Sequence, residues 1–147
     1  MTEIVKMSGE HLAAAAELDG ECFSCPWSEQ SLREELKNPL ALWLVALEDG
    51  AFAGYVGSQT VMDESDMMNL AVEPHQRRRG IAEALVRRLE QELAKIGSRV
   101  LTLEVRQSNE SARCLYEKLG YHQIGRRPHY YQRPKEDALI YRKELDR

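Results

Sequence analysis

Long hydrophobic runs are missing from this 147-residue chain. No stretch approaches the roughly 20 apolar residues that a helix needs to cross a bilayer. Net positive charge is missing too. Lys and Arg number 20 against 24 Asp and Glu, a balance of −4 at pH 7, which argues against general nucleic-acid binding. Cysteine is scarce. Cys22, Cys25 and Cys114 cannot all pair, and Cys22-x-x-Cys25 has no second C-x-x-C or H-x-x-x-H to complete a zinc site. No metal is therefore expected, and the cysteines read as small buried hydrophobes. Repeats, low-complexity tracts and linkers are absent, so residues 1–147 read as one domain. Met1 to Lys6 leads into a polar stretch and not an apolar leader, so a cytoplasmic location is expected. What is present is 43% apolar and 30% charged residues, the balance of a globular chain long enough to bury one core.

The most informative stretch runs from Asn69 to Leu89. A short apolar run ends at Pro74, three arginines and a glycine follow, and an amphipathic pattern begins. This predicts a strand, a tight turn, and a helix N-terminus aimed past the strand end. Such an N-terminus carries unpaired N–H groups and a partial positive charge, so it favours phosphate. Gly80 lets a ligand approach the main chain without a side chain in the way. Arg77, Arg78 and Arg79 oppose the helix dipole at roughly 0.3–1 kcal/mol each, and an anionic ligand explains their presence. A solvated basic helix start is the other reading, and it leaves that cost unexplained.

Taken in order, Thr2–Met7 reads as a strand and Gly9–Cys22 as a helix capped by Ser8. Phe23 to Ser28 reads as a loop in which Pro26 ends that helix, and Ser28 caps a second one running to about Lys37. Leu40–Leu47 and Ala51–Val61 form a hairpin around Asp49-Gly50. Met62 to Asp66 reads as an acidic turn and Met67–Glu73 as a strand. The helix after the arginines ends near Ile96, before Gly97. Val100–Val105 alternates, with Leu101, Leu103 and Val105 on one face and Thr102, Glu104 and Arg106 on the other. Ser108-Asn109 opens a helix that stops at Gly120. Tyr121–Gly125 and Ala138–Glu144 close the chain as strands, with an aromatic, basic loop over residues 126–134 between them. The order predicts an α/β (α+β) fold, a mixed sheet of about seven strands with about four helices on its faces.

Three positions invite chemistry, each with a plainer alternative. The right-handed crossover rule sets the strand carrying Glu104 beside the Met67–Glu73 strand. A carboxylate there is costly unless hydrated or partnered, and buried carboxylates serve as bases. The alternative is a solvated face on which Glu104 pairs with Arg106. Asn109 reads first as a helix cap. Tyr116 shares a stripe with Ala112, Leu115 and Leu119 and reads as core, while a phenol near a cleft can donate a proton.

The spacing Arg77-x-x-Gly80-x-Ala82 resembles the pyrophosphate-binding signature of the GNAT superfamily of N-acetyltransferases. Asn-x-x-Ala-x-x-Leu-Tyr-x-x-Leu-Gly-Tyr (Asn109 to Tyr121) and Leu-Glu-Val-Arg (Leu103 to Arg106) match in order and spacing. Over nearly its whole length the chain is similar to the RimI-type ribosomal-protein-alanine N-acetyltransferases. That narrower likeness rests on Cys-Pro-Trp-Ser (Cys25 to Ser28), Asp63-Glu64, Asn-Leu-Ala-Val (Asn69 to Val72) and Tyr-Tyr…Glu-Asp-Ala-Leu-Ile (Tyr130 to Ile140).

The resemblance implies a GNAT fold and an acyltransferase that moves an acetyl group from acetyl-CoA to the N-terminal amine of a small-subunit ribosomal protein. Glu104 is then the general base and Tyr116 the general acid. Leu70, Ala71 and Val72 contact acetyl-CoA through the strand backbone. Arg77, Arg78, Arg79, Gly80, Ile81, Ala82 and Glu83 hold its pyrophosphate, and Asn109 binds it as well. Ala82 stands where the commoner residue is glycine. Pro26, Trp27, Tyr130 and Tyr131 are expected to meet the acceptor, and Glu64 in the acidic stretch to attract its cationic end. Trp27 beside a proline reads equally as a lid over core. A monomer is expected, acting without membrane or nucleic acid. Other protein N-termini and small-molecule amines remain open as acceptors.

Overall fold

The computed structural model describes residues 1–23, 26–132 and 135–145. Seven strands form a sheet in the order β1-β2-β3-β4-β5-β7-β6. They are β1 (Thr2–Lys6), β2 (Ala41–Glu48), β3 (Ala51–Val61), β4 (Glu64–Val72), β5 (Val100–Arg106), β6 (His122–Gln132) and β7 (Lys135–Glu144). The helices are α1 (Leu12–Cys22), α2 (Glu29–Glu35), α3 (Ile81–Lys95) and α4 (Glu110–Lys118). β4 and β5 pair in parallel, and the other neighbours are antiparallel. The mixed sheet with four helices is the architecture the element order implies.

Two apolar clusters lie on opposite faces of the sheet. On one, Ile81, Leu85, Val86, Leu89 and Leu93 of α3 pack with Leu44, Val56, Leu101, Leu103 and Tyr116. These α3 positions recur at helical spacing, which turns one stripe of the helix onto the sheet. On the other face, Leu12, Ala15 and Leu18 of α1 and Leu32 of α2 cover Trp43, Val45, Tyr55 and Ala71. A Cβ on Gly57 would come within 2.3 Å of the Trp43 ring, so only glycine lets that indole lie flat on β3.

Local signals hold where the backbone itself demands them. The hairpin turn has positive φ at Asp49 (51°) and Gly50 (85°), as a type I′ turn requires. Ser28 accepts the Ser31 N–H at 3.0 Å and Asn109 the Ala112 N–H at 3.2 Å, capping α2 and α4.

Two expectations are corrected. The acidic turn is confined to Met62–Asp63, and Glu64, Ser65 and Asp66 already belong to β4. Glu64 and Asp66 are exposed while Ser65 and Met67 are buried, the alternation of a half-buried strand that charged letters disguised. The predicted loop over residues 126–134 is mostly strand, because β6 and β7 run on to Gln132 and Lys135. Register shifts between Arg127 and Tyr131, so a bulge absorbs Pro128 and the left-handed His129 (φ 55°). An edge strand tolerates both. Arg133 and Pro134 of that predicted loop lie outside the described residues.

Candidate functional site

β4 and β5 run together for only three pairs, Glu64↔Val100, Ser65↔Leu101 and Asp66↔Thr102. Beyond these, each strand keeps its outer neighbour: Leu70 pairs with Val56 on β3, and Glu104 with Ile140 on β7. A wedge therefore opens between Met67–Val72 and Leu103–Arg106. Backbone groups facing it have no ladder partner across the gap, and polar main chain in a cleft calls for hydrogen-bonding company. Glu73 donates its N–H to Ala53 at 2.8 Å. Successive residues of a strand point their N–H and C=O to opposite sides, so those of Val72 face away from β3 and into the wedge. The Val72 carbonyl accepts from Arg77 Nε at 3.1 Å. Its N–H remains aimed at the cleft.

Past the end of β4 the chain makes a short helical turn at Pro74–Gln76 and two left-handed steps, Arg78 (φ 64°) and Gly80 (φ 78°), before α3 starts at Ile81. Alternation of this kind gathers successive N–H groups into a concave anion seat. A Cβ at Gly80 would meet nothing within 4 Å, so glycine is needed for its φ, and the space above the turn is open. Ile81 is buried and Ala82 packs on the core, which leaves the main chain of the first α3 turn facing the seat.

The three arginines divide their duties. Arg77 is a strut, bonded to Val72 and reaching Cys22 Sγ at 3.4 Å. Arg78 and Arg79 are exposed and form no hydrogen bond or ion pair among the described residues. Glu83 is held by Lys118 at 2.7 Å and Arg87 at 3.0 Å. Those bonds, Lys118 first, keep its carboxyl below the usual range, and its charge is neutralised away from the seat.

Glu104 and Tyr116, the two side chains singled out in the sequence, lie at the walls and apex of the wedge. Glu104 is half-buried on β5, and its Oε2 is fully covered with no hydrogen-bond partner among the described residues. Arg127 Nε stands 3.4 Å from that oxygen, an ion-pair distance without hydrogen-bond geometry. The Glu104–Arg106 pairing of the alternative reading does not form. Arg106 turns to Glu136 at 3.3 Å and stacks over the Tyr131 ring at 4.2 Å. Tyr116, on α4, is 6% exposed. Its hydroxyl points at Met67 Sδ, 3.7 Å away, and Met67 is the first β4 residue past the last β4–β5 pair. The phenol thus stands at the apex of the wedge. Burial pushes its pKa well above the ordinary 10.0, so it holds its proton at neutral pH.

Tyr130 and Tyr131 meet edge to face at 5.2 Å, and Arg127 lies 5.5 Å over Tyr130. The Tyr131 hydroxyl is pushed up to about 12, chiefly by burial and next by the negative charge of Glu104. The structure therefore brings Glu104, Tyr130 and Tyr131 together beside the wedge. Asn109 spends its side-chain oxygen on the α4 cap. Trp27 meets Trp43 edge-on at 5.5 Å, and Pro26 is exposed next to it. Cys25, the other half of the C-x-x-C, lies outside the described residues. Glu64 sits at the closed end of the wedge, paired with Arg142 at 3.0 Å, and not with the tyrosine cluster.

Sequence reading missed Asp19. This carboxylate is 0% exposed. It accepts from the Trp27 N–H, the Tyr55 hydroxyl and, at 2.9 Å, Asn69 Nδ2. Nothing in the helical pattern of α1 separates it from the solvated acids Glu17 and Glu21, because its donors come from distant segments. Arg127 was missed for the same reason.

The family model described as "Acetyltransferase (GNAT) family" matches residues 12–121. The chain is 34% identical over 142 residues to the [ribosomal protein bS18]-alanine N-acetyltransferase of Escherichia coli K12, covering 95% of each chain. It is 36% identical over 143 residues to the protein of that name in Salmonella typhimurium, again covering 95% of each. Among solved structures, the ribosomal-protein-S18-alanine N-acetyltransferase from Escherichia coli superposes with a TM-score of 0.90 at 33% identity, over 100% of this chain and 96% of the other.

Proposed function

Since this chain belongs to the acetyltransferase (GNAT) family and is an acyltransferase, we propose that its donor is acetyl-CoA and its acceptor the N-terminal alanine of a small-subunit ribosomal protein. The observation that carries the reading is the wedge itself. It has an anion seat at its open end, a carboxylate on one wall and a buried phenol at its apex. The seat fits a diphosphate because it offers converging N–H groups, open space above Gly80 and two exposed arginines, Arg78 and Arg79. The named relatives supply the acceptor. A net charge of −4 suits a basic ribosomal tail.

A protein α-amine has a pKa of roughly 7.7–8.0 and must lose a proton before it can attack a thioester. Glu104 accepts that proton, directly or through water. The Val72 N–H donates to the negative charge developing on the acetyl oxygen. Tyr116 delivers its proton to the departing thiolate, and the second proton shed by the nitrogen as the amide forms restores the phenol. Arg78, Arg79 and the first α3 turn bind the diphosphate, and Leu70, Ala71 and Val72 align the donor along β4. Pro26, Trp27, Tyr130 and Tyr131 flank the acceptor. No covalent enzyme intermediate is needed, and holding both substrates in line supplies much of the acceleration.

The test is mass spectrometry of reactions with acetyl-CoA and peptides that differ in their first residue, alongside small amines. A basic peptide beginning with alanine should gain one acetyl group at its α-amine and outcompete the others. Preference for a small amine would overturn the acceptor assignment.

A further inference from the structure

We infer that Asp19 is a positioning residue for the acceptor, fixing the Pro26–Trp27 segment against the β4 wall of the wedge. The inference rests on the acceptor site proposed above and adds the residue that holds one side of it in place.

Asp19 lies outside the wedge, yet its three donors come from three separate segments. The Trp27 N–H belongs to the stretch between α1 and α2, the Tyr55 hydroxyl to β3 and the Asn69 amide to β4. Asn69 immediately precedes Leu70–Val72, the strand edge that faces the wedge. The rings close a second connection between the same parts. Trp27 meets Trp43 edge-on at 5.5 Å, and Trp43 stacks on Tyr55 at 5.9 Å and 28°. Trp27 is thus held twice, by its backbone on Asp19 and by its indole on Trp43.

Stability alone does not account for this carboxylate. Burying a charge is costly until its partners repay it, and an apolar residue of similar size often serves a core as well. Burial raises the Asp19 carboxyl above its ordinary 3.8, and the hydrogen bonds, that of Tyr55 first, only partly lower it again. A raised carboxyl pKa means the folded state grips the proton more tightly than the unfolded chain does. That contribution to stability is lost as pH rises from 3.8 through the raised value. What the carboxylate supplies at neutral pH is geometry: donors from three separate segments converge on it.

The two walls are not equally dependent on it. β4 is held along its length by pairing with β3, whereas Trp27 has no strand ladder. Loss of Asp19 should therefore release the acceptor side and leave the donor side in place. The experiment compares Asp19→Ala and Asp19→Asn with wild type in four readouts: peptide KM, acetyl-CoA Kd, melting temperature, and hydrogen exchange of the Trp27 amide. Asp19→Ala removes every acceptor, and its peptide KM should rise about tenfold, the size expected for one charge-assisted hydrogen bond. Asp19→Asn keeps a neutral acceptor for Trp27 and should show a smaller rise. In both, Trp27 exchange should quicken while acetyl-CoA Kd stays within about twofold. If the alanine variant does not fold, the asparagine variant decides.

A lowered melting temperature with unchanged peptide KM would overturn the inference, leaving Asp19 a purely structural group. Equal losses of peptide and acetyl-CoA affinity would overturn it too, and so would unaltered Trp27 exchange. Wild-type protein that acetylates no peptide would instead fail the proposed function, and the exchange measurement would still decide what Asp19 holds.

Discussion

Glu104→Gln should lower turnover about 100-fold, the ordinary scale for one general base, while acetyl-CoA binds as in wild type. Glutamine has the same shape and cannot take a proton. The pH dependence should change in form as well. Without a base, the enzyme must wait for amine that has deprotonated in solution, so residual turnover should climb as pH passes through the amine's pKa of roughly 7.7–8.0. The fold should survive. Among the described residues the charged partner lost is Arg127, at 3.4 Å, and that side chain is 56% exposed. A pair so open to solvent contributes about 0–1 kcal/mol. Turnover measured from neutral to alkaline pH, with a thermal melt on the same samples, checks this. An unchanged rate and profile would mean that Glu104 is an ordinary ion-pair residue of β5.

Tyr116→Phe should cost turnover on a similar scale, about 100-fold, through loss of the proton donor. The phenol is held protonated by burial, so wild-type activity should show no alkaline decline from this group within the stable range. The substitution removes only an oxygen whose partner is a thioether 3.7 Å away, a weak contact. Phenylalanine keeps the edge-on packing against Tyr121 at 5.7 Å. Stability should therefore change by no more than about 1 kcal/mol. Turnover per folded molecule, with the folded fraction taken from the melt, separates chemistry from packing. A destabilised protein with normal turnover per folded molecule would leave Tyr116 as a core aromatic only.

The two substitutions differ in what the sequence could say about them. Glu104 was legible through the alternation of Leu101, Leu103 and Val105, which sets it on the opposite face. The α3 stripe, the Asn109 and Ser28 caps and the Asp49-Gly50 turn were legible too, because each depends on a few neighbouring residues. The parting of β4 from β5 after Asp66 was not. Adjacency follows from the crossover rule, but no local pattern marks where two paired strands separate. The β6 bulge hid for a related reason: Pro128 and His129 carry loop-like letters, and only an edge position lets a strand absorb them. Asp19 and Arg127 were invisible because their partners lie far along the chain, and Arg106 found Glu136 across the sheet instead of Glu104 beside it. Glu64 was drawn into a turn by its charged neighbours, although alternation with Ser65 and Met67 already marked a strand.

The three arginines before α3 part company in the fold. Sequence spacing treats them alike, but the fold commits Arg77 to Val72 and Cys22 and leaves Arg78 and Arg79 beside the seat. Under the proposed function, alanine at Arg78 or Arg79 should weaken acetyl-CoA binding, whereas alanine at Arg77 should act through the end of β4, where it holds Val72.

The most direct measurement is calorimetric titration of the folded protein with acetyl-CoA, repeated with Gly80→Val. A branched side chain at φ 78° is strained and would fill the open space above the turn. Saturable one-site heat in wild type, lost in the variant while its melt still shows a cooperative fold, is the predicted result. Folded wild-type protein that gives no saturable heat would contradict the claim that the wedge and its anion seat hold the donor.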